Sequence, residues 1–321
     1  MEQAPRWLPY RIRTALDQWR IQRAVRGIAR TSPVDAAPPS AAAAEVYMLV
    51  CKRDLRLAVV TAKSLLRLCD NTCRLAVTAM HDGTLSEADK AWFSGHIRGV
   101  RWQRWREEEP ATKSMLDRFP MLARLYRDSS FQLAAKVLHP LTTSRCQRVF
   151  LVDSDTAFFE RPDRLFRFFQ GDDASPLYMH DHQDESRVIS AEVNRVLETM
   201  VQAMGLPGRT WRLQHRFFNS GCLAFRPEQM DLQIAERFLH WHHEHAAALA
   251  GGKAGIWLGP WTREQMCYQM MYGFADPPAE PLGDDYWLGS AEGKVFNHFL
   301  RHYLVKKSTL VRLKALIATL P

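Results

Sequence analysis

Cysteine is scarce in this chain. Six occur in 321 residues, at positions 51, 69, 73, 146, 222 and 267, too few and too scattered for a disulfide scaffold. Long apolar runs are missing as well: none approaches the roughly 18 residues that a membrane-spanning helix needs. No segment repeats at a period of roughly 20–50 residues, which excludes solenoids and propellers. The arginines near the start have no apolar core behind them, so no secretion signal is expected there. What is present is ordinary globular material, 46% apolar and 24% charged, and one large domain can be built from it.

The formal net charge of +8 suggests a nucleic-acid binder until it is mapped along the chain. Residues 1–30 hold seven arginines against Glu2 and Asp17, a net of +5. Residues 301–321 hold Arg301, Lys306, Lys307, Arg312 and Lys314 and no acid, another +5. The body between them carries 31 basic and 33 acidic side chains, and therefore lacks the excess that would neutralise a string of phosphates. No nucleic-acid partner is expected.

Both basic ends read as helices. Leu8, Ile12, Leu16 and Trp19 recur at spacings of four and three, with Arg13 and Arg20 elsewhere on the wheel. Leu310, Leu313, Leu316, Ile317 and Leu320 form a second stripe beside Lys307 and Lys314. An apolar stripe edged by basic residues suits a helix lying in an anionic membrane interface, and equally a helix packed on the main domain. The expected location is the cytoplasm, with the basic ends available to the inner face of the membrane.

Residues 31–44, TSPVDAAPPSAAAA, read as a linker, giving three segments: 1–44, 45–300 and 301–321. The body opens with the strand Val46 to Cys51, and a helix follows through Leu57, Val60, Ser64, Leu65 and Leu68. Arg74 to Met80 is a second strand, Ser86-Glu87-Ala88-Asp89 opens a helix, and Gly99 to Trp102 is a short third strand. A long helical stretch, Met115 to Leu141, is interrupted at Pro120 and stopped at Pro140. Alternating strands and amphipathic helices predict an open α/β sheet, with the ligand beyond the carboxyl ends of its strands.

Val149 to Val152 then reads as a buried central strand that ends in Asp153-Ser154-Asp155. Two carboxylates so close repel, and beside a buried strand they call for a counter-charge. A hard divalent cation, Mn²⁺ or Mg²⁺, meets that need and typically completes its shell with phosphate oxygens. A solvated turn is the simpler alternative for an isolated Asp-x-Asp, but the position after a four-residue apolar strand favours the cation.

The segment VFLVDSDTAFF resembles the metal-binding segment of the GT-A glycosyltransferases, most closely the family-8-like enzymes related to glycogenin and bacterial lipopolysaccharide galactosyltransferases. Three further pieces follow in that family's order. Phe217 to Phe225 (FFNSGCLAF) is similar to the segment lining the donor sugar, Trp261 to Gln265 to an acidic-Gln pair, and Val295 to Phe299 to a late His-Phe. The resemblance spans about residues 46–300 and implies a Rossmann-like mixed-sheet domain. It further implies transfer of a sugar from a nucleotide sugar, UDP-linked, to a carbohydrate or glycolipid hydroxyl, with retained configuration. Asp153, Asp155 and His298 would hold the metal. Glu264, Gln265 and Asn219 become catalytic candidates, and Asp153, Ser154, Lys136, Arg53, Asp54, Gly221 and Arg301 candidates for holding the donor. The chain departs from the family after His298, where Phe-Leu-Arg-His-Tyr replaces a Gly and a Lys-Pro-Trp that grip the diphosphate. Arg301, Lys306 or Lys307 would have to supply that cation.

Each residue also has a plainer reading. His298 suits a satisfied histidine between Phe296 and Phe299, Asn219 a turn amide, Gln265 a helix surface and Gly221 a bulge. Lys136 suits a solvated helix lysine, and Glu264 an acid in the first turn of a helix. His240 to His245 (HWHHEH) lacks the His-Glu-x-x-His order and reads as a polar helix end. Cys69 and Cys73 have no second pair to make a zinc site, and Trp102 and Trp105 stand beside Glu107-Glu108-Glu109, which disfavours base stacking. Two alternatives compete with the transferase: a haloacid-dehalogenase-like phosphatase and a catalytically inactive nucleotide-sugar-binding scaffold. The phosphatase wants Thr or Val where Ala157 stands, and its motif opens the domain. Between Asp172 and His215 no signal identifies the sugar or the acceptor.

Overall fold

The computed structural model describes residues 9–299 and 304–321, apart from 70, 72, 107–108, 181–190, 207, 214–217 and 251–261. Twelve strands are found among the described residues: β1 (Val34–Asp35), β2 (Ala44–Val50), β3 (Leu75–His81), β4 (Ile97–Arg98), β5 (Arg101–Arg104), β6 (Val149–Val152), β7 (Thr156–Phe158), β8 (Leu177–His180), β9 (Phe218–Phe225), β10 (Glu280–Pro281), β11 (Tyr286–Leu288) and β12 (Phe296–His298). The helices are α1 (Tyr10–Val25), α2 (Leu55–Leu66), α3 (Glu87–His96), α4 (Pro110–Arg118), α5 (Pro120–Arg127), α6 (Ala134–Thr142), α7 (Asp163–Gln170), α8 (Ala191–Ala203), α9 (Leu232–Ala250), α10 (Arg263–Gly273) and α11 (Lys307–Ala318).

Seven strands form the central sheet in the order β10-β8-β9-β6-β2-β3-β5. β6, β2, β3 and β5 run parallel, and the inner three, β6, β2 and β3, are nearly continuous apolar runs because helices cover both their faces, whereas the edge strand β5 is Arg-Trp-Gln-Arg. β9 runs antiparallel between β6 and β8, so its first residues lie at the carboxyl end of β6. That reversal brings Asn219 to Gly221 beside Asp153. A small second sheet, β11-β12-β7, forms where the chain leaves Asp155. In it, His298 lies opposite Thr156 in an antiparallel pair, one residue from the second aspartate.

Two apolar cores flank the sheet. One packs Val46, Met48 and Val50 of β2 with Phe150 and Val152 of β6 against α2 and α7. The other packs Tyr47 of β2, Val149 and Leu151 of β6 and Leu223 of β9 against α5, α6, α9 and α10. The alternation of β6 between the two clusters is the period-two pleat of a strand buried on both faces. Residue choice fixes several boundaries. Ser86 and Asp89 exchange hydrogen bonds as a capping box at the start of α3. α7 ends at Gly171, whose φ of 96° is the left-handed cap that glycine adopts without strain.

Several sequence expectations change. The Pro/Ala stretch 31–44 is not a free linker: β1 pairs with β4, Ala36 and Ala37 are buried, and the Ala37 amide donates to Leu75 O at 2.8 Å. Its small side chains allow that close approach. The stretch Met115 to Leu141 is divided among three helices. It breaks at Pro120 as expected, but Pro140 lies inside α6, which continues to Thr142. His240 to His245 lies within α9 rather than at its end, with Trp241 and His242 buried. The C-terminal stripe belongs to the packed alternative: Leu313, Leu316, Ile317 and Leu320 are buried in the first core, where α11 packs on α1 and the turn at residues 26–30. Leu8 lies outside the described residues. No described helix is long and apolar enough to cross a membrane.

Candidate active site

Asp153 and Asp155 leave β6 at its carboxyl end, and both are partly exposed. His298 comes to them from β12 and is 2% exposed. One ligand atom from each of the three lies within 4.8 Å of the others, and among the described residues this is the sole such grouping of histidine, cysteine, aspartate and glutamate side chains.

The histidine's tautomer follows from its neighbours. The Gly221 amide donates to Asn219 Oδ1 at 2.8 Å, which fixes that atom as the amide oxygen. The same oxygen faces His298 Nδ1 at 3.2 Å, so Nδ1 carries a proton and donates. The other ring nitrogen, Nε2, then points at Asp155 Oδ1, 3.3 Å away, and Asp153 Oδ2, 3.5 Å away. It is buried and makes no hydrogen bond. A nitrogen whose partner atom is oriented by an amide and which converges on two carboxylates is the arrangement of a metal-binding imidazole. Burial disfavours the imidazolium, but Asp155 and Asp153 outweigh it and hold the histidine's pKa above its ordinary value. The cluster therefore favours a positive charge at its centre, and its residues fit a divalent cation.

Lys136 is 2% exposed, which corrects the solvated-lysine reading. Its Nζ donates to Asp153 Oδ1 at 2.7 Å and lies 3.1 Å from Glu264 Oε1. Burial alone would lower its pKa, yet the two carboxylates raise it. Asp153 is lowered despite burial, by Lys136 and His298. The ammonium thus holds one oxygen of Asp153 and leaves the other turned toward His298 and Asp155.

Glu264, in the first turn of α10, is buried rather than a surface acid. Burial raises its pKa, Lys136 opposes the rise and Asp153 adds to it. Its Oε2 accepts from Ser220 Oγ at 3.1 Å, while Gln265 Oε1 accepts from the Ser220 amide at 3.3 Å. The Glu-Gln pair therefore holds the Asn-Ser-Gly end of β9. Gly221 has a packing reason that neither a bulge nor ligand approach supplies. A Cβ there would collide with the His298 ring and meet Asn219 Oδ1 at 2.8 Å. Asn219 works through His298 and Gly221, a role in orienting the ring that the sequence did not disclose.

Arg53 and Asp54 follow β2 and pair with each other at 2.6 Å. They share a cavity of 340 Å³ with Lys136, Asp153, Ser154 and Asp155. Six of the sequence candidates are thereby on one wall, and His298, Asn219, Gly221, Glu264 and Gln265 form the layer beside it. Arg301 and Trp261 lie outside the described residues. The cavity also includes Leu49, Cys51, Asp82, Gln132 and Leu133, none of which the sequence singled out. Cys51 and Asp82 directly follow the parallel strands β2 and β3, so the strand-end rule could have found them. Burial, with help from Asp54, pushes the Cys51 thiol up to about 11, which leaves it protonated and unreactive.

No protein-family model matches the chain, and neither does any curated protein sequence. Solved structures do. The galactosyltransferase LgtC, crystallised with donor and acceptor sugar analogues, superposes with a TM-score of 0.52 at 12% identity, over 86% of this chain and 96% of that one. The fold is GT-A. Mouse xyloside xylosyltransferase 1 is a second neighbour, with a TM-score of 0.48 at 17% identity, over 84% of this chain and 99% of the other. In the GT-A frame the carboxyl ends of β2, β3 and β6 form the rim of the candidate site, where the cavity and the Asp-Asp-His cluster both lie.

Proposed function

We propose that the protein is a metal-dependent glycosyltransferase that moves a hexose from a UDP-sugar to a hydroxyl of a carbohydrate or glycolipid, with retained configuration. The observation that carries this reading is the convergence of Asp153, Asp155 and the buried His298 Nε2 at a strand end of a GT-A fold. Two carboxylate oxygens and one imidazole nitrogen suit Mn²⁺, with Mg²⁺ as the harder substitute. Such a cation, when bound, supplies charge to offset that growing on the nucleoside diphosphate as it leaves.

The chain's own residues divide the remaining work. Asp153 and Asp155 bind the cation, and His298 completes the set with its ring held by Asn219. Lys136 keeps Asp153 ionised and in place. Arg53 and Asp54 line the side of the cavity where a nucleotide's ribose and base would lie. Gln265 and Glu264 sit behind Ser220, where Glu264 faces Lys136 rather than an open acceptor position. With Oε1 facing the Lys136 ammonium and Oε2 accepting from Ser220 Oγ, Glu264 would act by holding those two groups in place beside the reacting sugar. Nothing in the described residues favours the phosphatase alternative.

Nucleotide release from UDP-sugars in the presence of Mn²⁺ tests the proposal in the wild type and in Asp155→Ala. We expect metal-dependent release in the wild type and a loss of at least about a hundredfold in the variant, the scale of removing a charge-stabilising group. Turnover of p-nitrophenyl phosphate instead would make the protein a phosphatase. Mn²⁺-dependent nucleotide-sugar binding without turnover, with a panel of sugar acceptors supplied, would make it a scaffold.

A further inference from the structure

Five large apolar side chains are exposed among the described residues, and four belong to α1: Tyr10, Ile12, Leu16 and Trp19. α1 is attached to the body by Ile21, Ala24 and Val25, all buried. At 100° per residue these three point one way, and Ile12, Leu16 and Trp19 point the opposite way, with Arg23 continuing their row. The outward face of a surface helix is normally its polar face. Here it is apolar, with exposures of 49%, 38% and 54% for Ile12, Leu16 and Trp19.

The surroundings of that row are basic. The Arg23 guanidinium lies 5.3 Å above the Trp19 ring. Asp17 is the one acid among the described residues of this end; it is half-buried on the inner side and faces Arg20 at 3.5 Å. Immediately beyond the row, a groove of 590 Å³ opens between the end of α1 and α11, and Arg23, Arg26, Arg30 and Lys314 line it. An apolar ridge and an adjoining cationic groove thus face solvent together.

We propose that α1 docks the protein on an anionic phospholipid bilayer, with Ile12, Leu16 and Trp19 entering the interface and the groove receiving phosphate-bearing headgroups. Charge decides between this occupant and a second copy of the chain. A twofold contact through α1 would bring two basic ends, each of net charge +5, into one interface, whereas an anionic leaflet attracts both. The docking also has a direction. Gln18 and Gln22 donate to the Arg53 carbonyl oxygen at 3.1 and 2.9 Å, and Arg53 lines the candidate site. The bilayer would therefore lie beside the cavity, where a glycolipid acceptor would be presented. Docking itself does not depend on the transferase reading, and its test needs neither donor nor metal.

The test is sedimentation of the purified full chain with phosphatidylcholine vesicles, with and without phosphatidylglycerol, at low and moderate salt. The wild type is expected to sediment with the anionic vesicles and to be partly released by salt. Leu16→Ser with Trp19→Ser should lower the bound-to-free ratio on the order of tenfold, and Arg23→Glu with Arg26→Glu should remove the preference for anionic lipid. All four side chains are exposed or face the groove, and an unchanged far-ultraviolet dichroism melt will show that the variants fold. Wild type that stays in the supernatant, or a Leu16/Trp19 variant that sediments like wild type, overturns the proposal. So does a wild-type dimer in solution that becomes monomeric in that variant while vesicle binding persists, since the row would then face a second copy.

Discussion

The two ends of the chain have the same charge, +5 each, and similar apolar spacing, but the fold uses them in opposite ways. α11 turns Leu313, Leu316, Ile317 and Leu320 into the core and keeps only Val311 of its large apolar residues exposed. α1 is held by its last turn and leaves Ile12, Leu16 and Trp19 outside. α11 also reaches the candidate site: Arg312 Nη1 donates to Asn297 Oδ1 at 2.6 Å and to the Ala291 carbonyl oxygen, and its guanidinium lies 4.1 Å above the Phe159 ring. Asn297 is the residue before His298. An amphipathic basic helix is therefore two different devices, according to whether its apolar stripe finds a partner.

Truncation would separate the two most sharply. Removing residues 307–321 exposes the surfaces that four buried side chains cover, each worth about 1.5–3 kcal/mol. Their sum is comparable with the roughly 5–15 kcal/mol by which a whole domain is stable. The truncated chain is expected to lose its cooperative thermal transition and to aggregate. Removing residues 1–19, by contrast, should leave the melting midpoint within a few degrees. If both truncations melt like the full chain, the contrast between the ends is wrong.

The same contrast shows what was legible in the sequence. Asp153 and Asp155 could be located because a four-residue apolar strand followed by two acids is a local pattern. The partners of those acids are set by topology. Lys136 reads as a helix lysine until α6 is packed against β6, and the Asn219 side chain is committed to His298 only once β9 runs antiparallel to β6. The stripe of α11 was visible, but the surface covering it comes from α1 and the turn after it, residues 26–30, far away in the chain. For α1, the helix expected through Ile12, Leu16 and Trp19 is present, while its anchoring face, Ile21, Ala24 and Val25, lies after that stripe and on the other side. Periodicity identifies an apolar face; it does not say what the face meets.

Arg312 tests the link between α11 and the site. Arg312→Ala leaves Asn297 Oδ1, fully buried, without its donor, a loss of about 1–3 kcal/mol. We expect a lower melting temperature and a several-fold weaker apparent affinity for Mn²⁺, because β12 carries His298. Arg312→Lys, which keeps one donor, should recover part of both. An unchanged Mn²⁺ titration in an Arg312→Ala protein of lowered stability would restrict Arg312 to packing.

The smallest expected effect concerns the segment joining α1 to the body. Lys63, fully buried on α2, donates to Thr31 Oγ1 at 2.7 Å and to the Ser32 carbonyl oxygen, tying down the chain that follows α1. Burial lowers its pKa from 10.5 to about 8. Below pH 8 the ammonium is present in both folded and unfolded chains, and the folded state bears the full cost of burying it. Between pH 8 and 10.5 the folded protein releases this proton first, the unfolded chain binds more protons, and stability rises with pH. Lys63→Met should flatten this rise in urea melts across that window. The variant keeps the aliphatic packing but loses both hydrogen bonds, so the anchoring of the segment is weakened while the core is retained. Vesicle binding by Lys63→Met should stay at the wild-type level if α1 docks as a unit through Ile12, Leu16 and Trp19. A loss of binding with an unchanged melt would instead show that the angle between α1 and the body matters as much as the ridge itself.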